Sequence, residues 1–113
     1  MSNAFVNKKV DLTSTSATTI YTVPRATTAV IKSILVSEDS GNADTITVTI
    51  TDTDSAVFSL FKTKAISANA TTELLTAPLV AEESEIIKVT AATANRLHVV
   101  LSALEIKPRE VTT

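Results

Sequence analysis

Cysteine and tryptophan are absent from this chain, and histidine (His98) and glycine (Gly41) each occur once. Each scarcity closes a class of chemistry. Without cysteine there is no disulfide scaffold, no thiol nucleophile and no Cys/His zinc site, and the redox compartment leaves no mark. A single histidine leaves a serine-nucleophile triad nearly closed off. His98 stands inside a strand-like run between Leu97 and Val99 and reads as a partly buried or interface residue. One glycine rules out a glycine-rich phosphate loop. Tyr21 and three phenylalanines are the only aromatic residues, and they are not interleaved with basic residues as a stacking platform for single-stranded nucleic acid would be. Lysine plus arginine number 10 against 12 acidic residues, a net charge of -2, so no basic stripe for nucleic acid stands out. No apolar run approaches the ~20 residues of a membrane span. The stretch Met1 to Lys9 lacks the apolar core of a signal peptide, so Sec export of the free chain is not expected.

Carboxylates are the remaining chemical resource. Asp52 and Asp54 share one turn, and Glu82, Glu83 and Glu85 another. Paired carboxylates can run a glycosidase, but clusters in turns read first as solvated charges. Asp52-Thr53-Asp54 offers hard oxygens at i and i+2 for a weakly held calcium, without the glycine and spacing of an EF-hand loop. No catalytic residue, metal ligand or cofactor is assigned, and enzymatic activity is not expected.

What the chain does have is threonine, valine and isoleucine in quantity. Hydrophobic residues make up 44% and charged residues 19% of 113 positions, which places the chain among folded proteins of single-domain size. Branched side chains favour a pleated, half-buried surface. Thr45 to Asp52 alternates cleanly: Ile46, Val48 and Ile50 point one way, Thr45, Thr47, Thr49 and Thr51 the other. The threonine face is either plain solvent-facing sheet or a flat polar contact surface. Ala29 to Ser37 has apolar residues on both faces, Val30, Lys32, Ile34 and Val36 on one and Ile31, Ser33 and Leu35 on the other. That pattern fits a central strand or one covered by a partner. Glu38 to Asn42 is the strongest turn signal, and it predicts a hairpin between these two strands. Leu97 to Lys107 is the long final strand, and Pro108 ends it. Phe58 and Phe61 are expected in the core, as is Tyr21, with its hydroxyl at the sheet margin.

Turn signals recur about every 8–12 residues between roughly seven to nine short strands, and no long amphipathic helix is apparent. The fold class is therefore all-β: an antiparallel β-sandwich, jelly-roll-like or Ig-like, spanning 1–113 as one domain. Residues 1–12 form an N-terminal arm or edge strand, and 108–113 a short C-terminal tail.

Three ordered stretches carry a resemblance. They are Ile20 to Pro24 followed by Thr28 to Ile34; Ile66 to Leu75; and Glu85 to Val89 followed by Ala91-Ala92 and the strand Leu97 to Ile106. Together they resemble small β-sandwich structural proteins of tailed bacteriophages. In such proteins the link after the proline usually carries glycine. Here it is Arg25-Ala26-Thr27, so a turn with positive φ is less expected. The resemblance implies a virion component assembled in the host cytoplasm. The first reading is a capsid decoration (cement) protein bound to the major capsid protein, as a homotrimer by analogy with three-fold capsid points. A tail, fibre or adaptor component is the second reading, and a carbohydrate-binding or adhesin-like module, which would display aromatic residues, the third. Direct contact with nucleic acid or membrane is not expected. Terminal segments are free to reach neighbours, and doubly apolar strands can be covered by a partner. The interface candidates are accordingly Phe5, Val6, Lys8, Lys9, Val10, Val30, Ile34, Val36, Lys107 and Arg109.

Overall fold

Alternation of branched apolar and polar side chains builds nearly every element. The computed structural model describes residues 2–107. Nine strands follow one another: β1 (Ser2–Asp11), β2 (Thr18–Thr22), β3 (Thr28–Glu38), β4 (Asp44–Thr51), β5 (Val57–Ile66), β6 (Thr71–Glu73), β7 (Leu79–Ala81), β8 (Ile86–Ala91) and β9 (Leu97–Lys107). In β4, Ile46 and Val48 are fully buried while the alternate threonines are half-exposed, as a period of two requires. In β9 the inward set is Leu97, Val99, Leu101 and Ala103, extended by Glu105.

The strands form two antiparallel sheets. The larger has the order β1-β9-β3-β6, with β7 also pairing β3; the smaller runs β2-β8-β4-β5. The chain is thus a long ribbon folded on itself. β1 lies along β9, β2 along β8, β3 along β6 and β7, and β4 along β5. The ribbon then wraps so that β3 also meets β9 and β4 also meets β8. This is the jelly-roll member of the two predicted architectures, a sandwich of two Greek-key sheets. The facing apolar sides make one core, which includes Ile31, Ile34, Val36, Ile46, Val48, Ile87 and Leu101.

Two local expectations do not hold. β3 and β4 are not a hairpin; they lie in different sheets. β3 instead pairs with β9 over almost its whole length. The turn signal at Glu38 crosses from one sheet to the other because the Glu38 carboxylate folds back and accepts from the Ser40 and Gly41 amides at 2.9 and 3.1 Å. The two faces of β3 also differ from a strict alternation. A bulge between Ile31 and Ser33 inserts Lys32 without a partner on β9, which reverses the phase of the strand. Ala29 and Ile31 point inward before it, Ile34, Val36 and Glu38 after it. Val30 therefore lies on the opposite face from Ile34 and Val36.

The link after Pro24 gives a third correction. Ala26 adopts φ 55°, the left-handed region that its lack of a glycine made unexpected. The Thr27 hydroxyl donates to the Arg25 carbonyl at 3.0 Å and helps hold that turn. Glycine scarcity does not remove left-handed positions here. Ser55, Thr63, Asn69, Ser84 and Asn95 occupy them too.

Candidate functional site

Side chains directly opposite each other on antiparallel strands share a face, so the register of the larger sheet can be read as rows. Phe5 opposes Leu104, Leu104 opposes Val30, and Val30 opposes Val80. These four form one apolar row across β1, β9, β3 and β7, on the side away from the core. Phe5 is 79% exposed and Val80 57%, with Leu104 and Val30 half-exposed between them. Ile106, between Asn3 and Thr28, extends the apolar surface on one side. On the other side comes a polar row, Asn7, Ser102 and Ser33, and then Lys9, Val100 and Leu35. The core-facing side of the central strands β9 and β3 is buried, with Ala29, Ile31, Leu101 and Ala103 beneath these rows, so the middle of this sheet is apolar on both faces. A row of large apolar groups exposed at this density marks a surface that gains from being covered.

The polar edge of this face is held in place by its own hydrogen bonds. Glu73 accepts from the Ser33 hydroxyl, from the Ile34 amide at 2.8 Å and from the Leu75 amide at 3.3 Å. At the far end His98 stands between two carboxylates, with Nε2 3.3 Å from Asp11 and Nδ1 3.7 Å from Asp39. It is half-exposed on the outer side.

The structure places the predicted interface residues differently from one another. Phe5, Lys9 and Val30 lie on the outer face. Val6, Lys8 and Val10 lie on the other side of β1, opposite Ala103, Leu101 and Val99; Val6 and Val10 pack against the core, and Lys8 is exposed. Ile34 and Val36 are fully buried and cannot meet a partner, because the Lys32 bulge turns them inward. Lys107 is exposed at the end of β9, paired with Ser2. Arg109 lies outside the described residues. The N-terminal segment is an edge strand in continuous register with β9 from Ser2 to Asp11, not a free arm. Leu104 and Val80 complete the row and were not among the candidates; only strand register, a long-range property, brings them beside Phe5 and Val30.

Elsewhere, Phe58 is 54% exposed on edge strand β5, against the expectation of a core residue, while Phe61 is half-buried against the core. The Asp52 carboxylate accepts from the Asp54 and Ala56 amides, both at 2.9 Å, so it closes its own turn. Among the described residues no group of three or more metal-ligating side chains converges.

Fold and face together define a jelly-roll domain whose larger sheet presents the apolar row Phe5, Leu104, Val30 and Val80 to solvent. No family model matches the chain, and no curated protein matches it. Among solved structures, a chain described as "Cyanophage Pam1 capsid asymmetric unit" is similar at 18% sequence identity and a TM-score of 0.45, covering 94% of this chain and 85% of that one.

Proposed function

We propose that this chain is a structural protein of a bacteriophage virion, specifically a capsid decoration protein that seats the outer face of its larger sheet on the major capsid protein. The observation that carries this reading is the solvent-facing row Phe5, Leu104, Val30 and Val80, on a sheet whose central strands are buried on their other side. The ordered stretches noted in the sequence supply the virion context. Mechanism on this reading is passive. Each copy covers its apolar row against the shell and adds polar contacts at the rim through Asn7, Lys9 and Ser102, and many copies together stabilise the head. A homotrimer at capsid three-fold points is part of the proposal, and no catalysis is.

The test is co-sedimentation with shells of the encoding phage that lack this protein. Phe5→Glu and Val80→Glu place a charge on the exposed row without touching the core. The proposal expects both variants to fold as the parent does and to lose shell occupancy. Full occupancy by both would overturn it. Copy number per particle separates shell decoration from a tail or adaptor role.

A further inference from the structure

The outer face of the larger sheet matches itself in reverse. Two rows cross it from edge to edge: Phe5, Leu104, Val30 and Val80 in one, and Lys9, Val100, Leu35 and Glu73 in the other. The first row is apolar throughout. The second begins on a cation at β1 and ends on an anion at β6, with two half-exposed apolar residues between them. Glu73 keeps its place there through the bonds it accepts from the Ser33 hydroxyl and the Ile34 and Leu75 amides. Among the described residues the only ion pairs are those of His98, so neither Lys9 nor Glu73 is paired there.

A second copy, turned over about an axis that runs along the strands midway between β9 and β3, lays each row on its own reverse. Phe5 then meets Val80 of the second copy, Leu104 meets Val30, Val100 meets Leu35 and Lys9 meets Glu73. Each contact occurs twice, as an isologous interface requires. In the next row Asp11 comes against Thr71 and His98 against Ser37. An axis across the strands would instead set Phe5 on Lys9 and Val80 on Glu73, burying charge against the exposed apolar groups. The opposite charges at the two ends of one row thus select both the occupant and its orientation. Packing with strands aligned is also a common arrangement of two sheets face to face. Four strands ~4.8 Å apart and eight residues at ~3.3 Å each give a face of roughly 500 Å². Two such faces would bury roughly 1,000 Å², the lower bound for a specific interface, and a weak one.

We infer that the free chain pairs with a second copy through the outer face of its larger sheet, about a two-fold axis parallel to β9 and β3. Pairing and the proposed docking on a shell use the same face, so the dimer is the unattached form. The experiment is done in solution without shells, so the inference stands or falls apart from the docking reading. Sedimentation of the full chain should show a reversible monomer–dimer equilibrium that added salt weakens. Lys9→Glu, at an exposed position, turns both Lys9–Glu73 attractions into repulsions and should raise the dissociation constant about tenfold. The chain has no cysteine, so single introduced thiols report the geometry without background. Within one copy Phe5 and Val80 stand three strand spacings apart, ~14 Å. A bismaleimide shorter than that span, added to an equimolar mixture of the Phe5→Cys and Val80→Cys variants, should give a cross-linked dimer, and neither variant alone should. A monomer at every concentration reached, a free trimer, or a Lys9→Glu dimer as tight as the parent's would overturn the inference. So would cross-linking of either cysteine variant by itself as efficient as that of the mixture.

Discussion

The Tyr21 hydroxyl donates to the Glu105 carboxylate at 2.7 Å across the buried interior, joining β2 of the smaller sheet to β9 of the larger. Tyr21 is 2% exposed and Glu105 6%. Each supplies what the other lacks: a carboxylate without a donor is costly to bury, and so is a hydroxyl without an acceptor. Tyr21→Phe removes the donor and leaves the carboxylate unpartnered, at a cost of about 1–3 kcal/mol. Denaturant unfolding at neutral pH should show a lower midpoint with an unchanged slope. A midpoint equal to that of the parent would mean that the pair contributes nothing.

The same pair sets a pH dependence at the alkaline end. Burial first, then the hydrogen bond to Glu105 and its negative charge, push the Tyr21 hydroxyl well above the ordinary tyrosine value. An unfolded tyrosine loses its proton near ~10, while the folded one keeps it. Above that pH the unfolded state binds fewer protons, so stability falls as pH rises. The chain has one tyrosine and no tryptophan, so phenolate absorbance reports on this residue alone. Its rise should coincide with loss of the strand signal in circular dichroism, and titration of Tyr21 in the intact fold near the ordinary value would contradict the account.

Glu38 governs the acid end. Burial acts to raise its pKa, but hydrogen bonds from the Ser40 hydroxyl and from the Asn69, Ser40 and Gly41 amides outweigh it and hold the group at about 2. This carboxylate pins the β3–β4 crossing to the turn before β6, where the Asn69 amide reaches it at 3.1 Å. A folded-state pKa below the unfolded one means stability that is present above about 4.5 and lost as pH falls toward about 2. Glu38→Gln presents an amide NH₂ to an array of donors. The variant should be less stable at neutral pH, with the gap to the parent closing through that acidic window. A gap independent of pH would assign the loss to packing alone.

The N-terminal strand separates fold from attachment. Truncation of residues 1–9 would unpair most of β9's outer edge, including Leu101 and Ala103 opposite Lys8 and Val6, so lost binding in such a truncation would report on folding as much as on contact. Phe5→Ala is the cleaner probe. The side chain is 79% exposed, so stability should stay within about 0.5 kcal/mol of the parent, while shell occupancy falls. Thermal melting run beside sedimentation distinguishes the two effects.

How far the sequence reaches depends on the range of the interaction. Alternation in β4 is local, and there Ile46 and Val48 of the apolar face read from the sequence are buried, with Ile50 partly so. Pairing is not local. The Glu38–Asn42 turn looks like a hairpin because nothing in it records that β9, some sixty residues away by ~1 order of magnitude more chain than the turn itself, competes for β3. The Lys32 bulge is hidden because Val30, Lys32, Ile34 and Val36 keep an unbroken period of two. Phe58 looks like core because its type is apolar, although its strand stands at an edge. The exposed apolar row is half legible: Phe5 and Val30 stand out as apolar residues in strands, while Leu104 and Val80 join them only through register.

Backbone strain offers the last prediction, because left-handed residues here are mostly not glycine. Gly41 sits at φ 85° with open space where a side chain would go, and its amide donates to Glu38. Gly41→Ala therefore meets no steric neighbour and should lose about 1 kcal/mol through backbone conformation alone. Thr63 presents the reverse case. It holds φ 48° within edge strand β5, where a branched side chain is a genuine outlier, supported by its amide donating to the Thr47 hydroxyl at 3.0 Å. That bond is made by the main chain, so Thr63→Gly keeps it while relieving the strain. Ala26→Gly at φ 55° relieves strain in the same way. Each replacement should raise stability by up to about 1 kcal/mol, the relief being partly offset by the greater freedom of glycine in the unfolded chain. Chemical denaturation of the three variants is the check. A gain at Ala26 and Thr63 together with a loss at Gly41 is the expected pattern, and a loss at all three would mean that side-chain contacts, not backbone conformation, decide these positions.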